Sequence, residues 1–176
     1  MVPPVLSQRP SRIPLAALLL AACGAERPTA APAAVLRELP AGVLQAVVQR
    51  WAGAEAGTVR YTVRVVERTR AAAAWQGTLT VAPGAWEVVG VETPTGAGAT
   101  YVVNAEEAGA GRVRFAAFGA EALGGDEAFT VTVRERGPAG VGVTLEAAGQ
   151  ADGRAYGAGQ LRGAVGVYDE AGRLVR

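Results

Sequence analysis

Residues 75–92, WQGTLTVAPGAWEVVGVE, decide the fold. Trp75, Gly77, Leu79 and Val81 alternate with Gln76, Thr78 and Thr80, the two-residue period of a strand with one buried face. Pro83-Gly84 interrupts the run, because Pro fixes φ and Gly accepts conformations that other residues avoid. Trp86, Val88 and Val91 then resume an apolar pattern that slips out of strict alternation at Val89-Gly90. The stretch reads as strand, turn, strand: a hairpin in an all-β domain. By this alternation Trp75 lies on the core side with Leu79 and Val81.

The same reading extends in both directions. Val59, Tyr61, Val63 and Val65 alternate with Arg60, Thr62 and Arg64 in a strand over 58–67. Residues 43–51 fit both a helical stripe (Val43, Val47, Trp51) and an alternation that also takes in Gln45 and Gln49; the β-branched content favours a strand. Residues 33–39 suit a short helix ending before Pro40. Downstream, strands are expected over 100–104, 112–118, 127–134, 141–147 and 161–168. Between them lie a loop at 119–126, a turn at 137–140 and a Gly-rich loop at 149–159 that holds Asp152 and Tyr156. About nine short strands with frequent turns indicate a jelly-roll β-sandwich.

Composition narrows the chemistry. The 176 residues include 24 Gly, and the bulky core must come from Val, Leu, three Trp, three Phe and four Tyr, enough for one sandwich. A net charge of +1 gives no electrostatic case for nucleic acid. A single Cys and no His exclude an internal disulfide, a Cys/His zinc site and His-based acid–base catalysis. The only serines, Ser7 and Ser11, precede the domain, so no serine nucleophile falls within it. The Gly-rich loops match no phosphate-binding pattern, and the chemistry points away from an enzyme. No metal or cofactor is called for: the loop acids Glu106, Glu107, Glu121, Asp126, Glu127 and Asp152 lack the spacing of a calcium loop.

The first 22 residues read as a secretory signal. Arg9 and Arg12 precede an apolar run over 13–22 that is too short for a permanent span. The run ends in Leu20-Ala21-Ala22-Cys23, which resembles the lipobox of bacterial lipoproteins, where the Cys becomes the acylated first residue. Lipidation at Cys23 is therefore expected, with residues 23–42 as lipidated Cys and linker, 43–169 as the domain and 170–176 as a tail. Gly24 after the Cys is similar to the pattern of lipoproteins exported to the outer membrane. The expected location is extracytoplasmic, membrane-anchored, at the outer membrane or cell surface. Loss of Arg9 and Arg12 would leave 15 Arg against 16 acids.

An ordered series of segments over 43–168 resembles the cohesin domain family. Ala56-Gly57-Thr58-Val59-Arg60-Tyr61 stands where cohesins have a Gly-Asp-Thr-Val-Thr-Val-like strand. Thr78-Leu79-Thr80, Pro83 and Glu87-Val88-Val89-Gly90-Val91-Glu92 resemble the cohesin segment around Thr-Leu-Thr, its Pro and Leu-Glu-Val-Val-Gly-Val-Glu. Gly111-Arg112-Val113-Arg114-Phe115-Ala116, residues 123–133 and the Gln150-Ala151-Asp152-Gly153 turn continue the series. The resemblance implies a nine-strand sandwich that binds dockerin modules, commonly those of secreted polysaccharide-degrading enzymes, with recognition residues on the strand that here is 75–81. The Asp typical of that strand is Gln76 here, and the Asp before the Pro is Ala82. Related carbohydrate-binding sandwich modules share the fold.

Candidate binding residues follow. Gln76, Thr78 and Thr80 share one face of their strand, and Arg112, Arg114, Thr130 and Thr132 are candidates to extend it. The same pattern also describes an ordinary solvated sheet face. The expected partner is a dockerin-like protein. The alternatives are a polysaccharide, stacked on exposed Trp rings, or a structural envelope role without a specific ligand.

Overall fold

The computed structural model describes residues 32–69, 71–94, 98–123, 126–137, 140–164 and 166–175. The signal and Cys23 lie outside these residues. Among the described residues eleven strands form two packed sheets, the β-sandwich expected from the alternation. The strands are β1 (Leu44–Ala52), β2 (Thr58–Val66), β3 (Ala72–Thr80), β4 (Trp86–Glu92), β5 (Ala99–Asn104), β6 (Arg112–Gly119), β7 (Asp126–Glu135), β8 (Gly142–Gln150), β9 (Leu161–Arg162), β10 (Val167–Tyr168) and β11 (Leu174–Val175). One sheet has the order β11-β10-β1-β2-β7-β4, with β9 also pairing β1; the other has the order β5-β6-β3-β8.

The core between the sheets comes from the alternating positions. Val63, Val131 and Val133 of the larger sheet and Leu79, Val113 and Phe115 of the smaller are almost fully buried. Phe115 and Phe129 meet across the gap with ring centroids 4.9 Å apart, and Trp75 packs its edge against Phe115 at 5.8 Å. Gly77 makes room for this cluster: a Cβ there would lie 2.3 Å from the Thr144 carbonyl oxygen and 2.7 Å from the Phe115 ring.

The stretch 75–92 is not a hairpin. β3 is paired on both sides, by β6 and β8, so it offers no free edge to β4. β4 instead crosses the core and pairs with β7 in the opposite sheet. Pro83 and Gly84 form the corner of this crossover. Val81 N–H donates to the Gly111 carbonyl at 2.9 Å and Gly84 N–H to the Gly109 carbonyl at 3.2 Å, which pins the corner to the 3-10 turn Ala108–Ala110. Burial of Ala85 and Trp86 pulls the chain inward. The slip at Val89-Gly90 is a β-bulge against β7.

Other boundaries shift for similar reasons. β3 begins at Ala72 because the buried Glu67 carboxylate accepts the N–H groups of Ala71 and Ala72 at 2.8 and 3.1 Å, turning the chain into the strand early. The strand expected over 161–168 is broken into β9 and β10, both parallel to β1. The break leaves the Gly163 carbonyl to accept from the Gln45 side chain and the Ala164 N–H to donate to Val143 of β8 at 3.1 Å. The tail set at 170–176 starts inside a hairpin turn, since β11 pairs with β10. The helix α1 (Ala33–Glu38), placed in the linker by sequence, belongs to the fold: Val35, Leu36 and Leu39 pack on Val43, Val47 and Val66, a small second cluster on the outer side of β1 and β2.

Candidate functional site

The outer face of the four-stranded sheet collects most of the candidate residues. Pairing sets them in rows. Thr78 of β3 is opposite Arg114 of β6 and Thr144 of β8, with Asn104 of β5 opposite Arg114. Thr80 is opposite Arg112 and Gly142. Gln76 is opposite Ala116 and Ala147, and Ala116 is opposite Val102. The next row is Ala74, Phe118 and Thr100. Even-numbered residues of β3, β5 and β6 thus share one surface, as alternation requires.

This surface has two unlike halves. In the polar half, Glu107 holds both arginines: Arg112 Nε donates to Oε2 at 2.9 Å, and Arg114 Nη2 lies 3.4 Å from Oε1. Thr78 Oγ1 donates to Glu146 Oε1 at 2.6 Å, and Thr80 Oγ1 donates to the Gly142 carbonyl at 3.3 Å. In the apolar half, Phe118 and Val102 are 52% and 50% exposed, values that mark both side chains as unpacked on this side. Phe118 walls a shallow depression of about 300 Å³ whose floor is Ala74, Ala116, Ala147 and Gly149. Gln76 lies at the border between the halves.

Thr130 and Thr132 do not extend this surface. They sit on β7, on the outer face of the opposite sheet. The sequence placed them by alternation, which assigns a face within a strand but not the sheet to which the strand belongs. Thr130 is also closed to solvent: its hydroxyl bonds Thr62 Oγ1 at 2.9 Å, and Thr62 accepts Trp51 Nε1 at 3.1 Å. Beside them Arg64 Nε donates to Gln49 Oε1 at 3.1 Å with both side chains buried.

Trp51, Trp75 and Trp86 are each at most 6% exposed, so none offers a flat ring for a sugar to stack on. Among the described residues no group of three or more acidic or Cys side chains gathers into a metal site. One end of the sandwich carries a partly exposed polar cluster around the buried Tyr61 instead. The Tyr61 hydroxyl donates to Glu135, which also takes Arg50 Nη2 at 2.8 Å. Burial, with the Glu135 bond, pushes the Tyr61 phenol up to about 12. Burial alone would raise the Glu135 carboxyl, but the bonds from Arg50 and Tyr61 outweigh it and hold it below its usual range. The Tyr61 ring stacks 4.4 Å from Trp86, which makes this cluster a brace for the crossover strand β4.

No family model matches the chain, and no curated protein matches it. Among solved structures it is similar to a type I cohesin of Clostridium thermocellum crystallised with a dockerin, at 8% identity and a TM-score of 0.49, covering 69% of this chain and 97% of that one. It is similar to the cohesin module of a Clostridium perfringens family 33 glycoside hydrolase, at 12% identity and 0.48, covering 73% and 98%. It is also similar to a non-cellulosomal cohesin of Archaeoglobus fulgidus, at 14% identity and 0.47, covering 68% and 88%. The β-sandwich stands on its own strand order and registers.

Three residues of the face were not singled out from the sequence. Phe118 and Val102 carried a signal, because each is in phase with outward neighbours, Arg114 and Thr100 respectively. Glu146 carried the same signal, since Thr144 and Glu146 alternate with the buried Val143 and Leu145. The sequence did not show the bulge in β8 between its pairings with Gln76 and Gly77, which leaves Ala147 outward beside Glu146.

Proposed function

We propose that the chain is a non-enzymatic binding module of the cohesin kind, whose outer β5-β6-β3-β8 face docks a dockerin-like protein. The observation that carries this reading is the division of that face: a half-exposed Phe118–Val102 patch over a small-residue floor, beside a polar half built from Thr78, Thr80, Arg112, Arg114 and Glu146. Protein interfaces use this arrangement, an aromatic anchor in a shallow pocket bordered by polar side chains. The cohesin-like series of segments supports the choice of partner, since it places the recognition strand at 75–81, in the middle of this face. With Gln76 in place of the typical Asp, recognition rests on Glu146, Arg112 and Arg114 for its charges. The module acts outside the cytoplasm, tethered through lipid on Cys23.

The test is calorimetric titration of the chain with a panel of purified dockerin modules. Saturable binding is expected, weakened about tenfold or more by Phe118→Ala, as for an interface anchor. No binding across the panel, or binding indifferent to Phe118→Ala and Arg114→Ala, would overturn the reading. For the anchor, Cys23→Ser abolishes metabolic labelling with palmitate; undiminished labelling excludes lipidation there.

A further inference from the structure

The larger sheet is interrupted beside its helix. β1 pairs with β9 through Gln45 and Arg162 and with β10 through Val48 and Val167. Among the described residues Ala46 and Val47 have no strand partner between those two ladders. α1 lies on the same outer side, packed through Val35, Leu36 and Leu39. Between helix and interruption is a cavity of about 250 Å³. Val35, Leu39 and Val47 form its apolar wall, and Glu38, Gln45 and Arg162 bring polar groups to it.

The fold leaves those polar groups unused. Gln45 is only 6% exposed, yet half of its amide is unbonded. Nε2 donates to the Ala46 carbonyl at 3.0 Å and to the Gly163 carbonyl. These two acceptors fix the amide, since a flip would set Oε1 against them. Oε1 accepts no hydrogen bond among the described residues, a costly state for an acceptor in a buried side chain. With Nε2 turned to the strand, Oε1 is the atom that Gln45 offers to the cavity. Arg162 is the one described arginine with neither a hydrogen bond nor an ion pair; each of the others is bonded. Glu38 stands across the cavity on α1, and no ion pair joins it to Arg162.

We infer that this cavity is a binding site for a small zwitterion of the dipeptide class. The ligand's ammonium donates to Gln45 Oε1 and faces the Glu38 carboxylate. Its carboxylate pairs with the Arg162 fork, and its side chains cover Val35, Leu39 and Val47. A simple anion would answer Arg162 but bring no donor to Gln45, and a simple cation would leave Arg162 unpaired. Glu38 and Arg162 do not reach each other, which suits charges separated by a peptide unit better than the adjacent charges of a free amino acid. The volume falls below the range of about 300–1,000 Å³ typical of drug-sized ligands, which keeps the ligand small. The site lies on the larger sheet, away from the docking face, and does not depend on the docking reading.

The test is calorimetric titration of the full chain, in non-ionic detergent, with L-leucyl-L-leucine and L-valyl-L-valine. Saturable binding is expected, at least tenfold weaker when the amino end is acetylated, when the carboxyl end is amidated, or in Arg162→Ala. That variant should keep the parent melting temperature, because Arg162 is exposed and unbonded. Arg114→Ala, on the docking face, should bind both dipeptides as the parent does. In NMR spectra of the 15N-labelled chain the Gln45 side-chain amide should shift on addition of dipeptide. No saturable binding of either dipeptide, equal binding of the capped forms, a Gln45 amide that does not move, or affinity unchanged in Arg162→Ala would each refute the inference.

Discussion

The two sheets present outer faces written in the same polar code and treated in opposite ways. On the smaller sheet Gln76, Thr80, Arg112 and Arg114 are exposed to solvent. On the larger sheet Gln49, Thr62, Arg64 and Thr130 are 5% exposed or less, and they bond one another or Trp51. A Thr–Thr pair with an indole donor is cheap to bury when every group finds a partner, and costly when one is removed. Alternation of Thr and Arg with Val therefore says that a strand has two faces; it does not say which outer face remains open for binding.

Substitutions can break this comparison at several strengths. The largest effect should come from Phe115→Ala, which removes the ring that joins the sheets; a loss of about 3–5 kcal/mol in urea unfolding is expected. Both faces should suffer together, and a small loss would mean that the sheets are not cooperative. Thr62→Val is next. It strands Trp51 Nε1 and the Thr130 hydroxyl inside the closed face and should cost ~1–3 kcal/mol. Thr78→Val, the same change on the open face, should stay within about 0.5 kcal/mol. Equal costs would erase the distinction between the faces. Dockerin titration should reverse the order, with Thr78→Val harmful and Thr62→Val neutral.

The smallest effect concerns pH. Tyr61 titrates near 10 when unfolded and at about 12 when folded. The folded state then holds the proton more tightly, so this contribution to stability is complete below pH 10 and lost as pH rises from 10 through 12. Tyr61→Phe should flatten that part of the stability profile, leaving the share of Tyr156, whose phenol burial also raises. An unchanged alkaline slope would remove Tyr61 from the account.

Much of the site was legible in the chain. Alternation placed Gln76, Thr78, Thr80, Arg112 and Arg114 outward, and they share one face because β3 and β6 happen to be neighbours. The same logic applied to Thr130 and Thr132 pointed to the wrong sheet. Strand pairing between distant segments is a tertiary choice that no local period encodes.

The stretch 75–92 shows where the division falls. Its side-chain chemistry determined two strands, a corner at Pro83-Gly84, a core position for Trp75 and an irregularity at Val89-Gly90. Those are local matters of φ, side-chain period and burial, and the residues themselves carry them. Whether the two strands would pair with each other depended on whether β3 had a free edge, and β6 and β8, from residues 112–119 and 142–150, had taken both. Backbone hydrogen bonding is exclusive, so a strand paired on both sides sends its successor across the core. That exclusion makes the β3 face a finished surface, and only the tertiary structure could impose it.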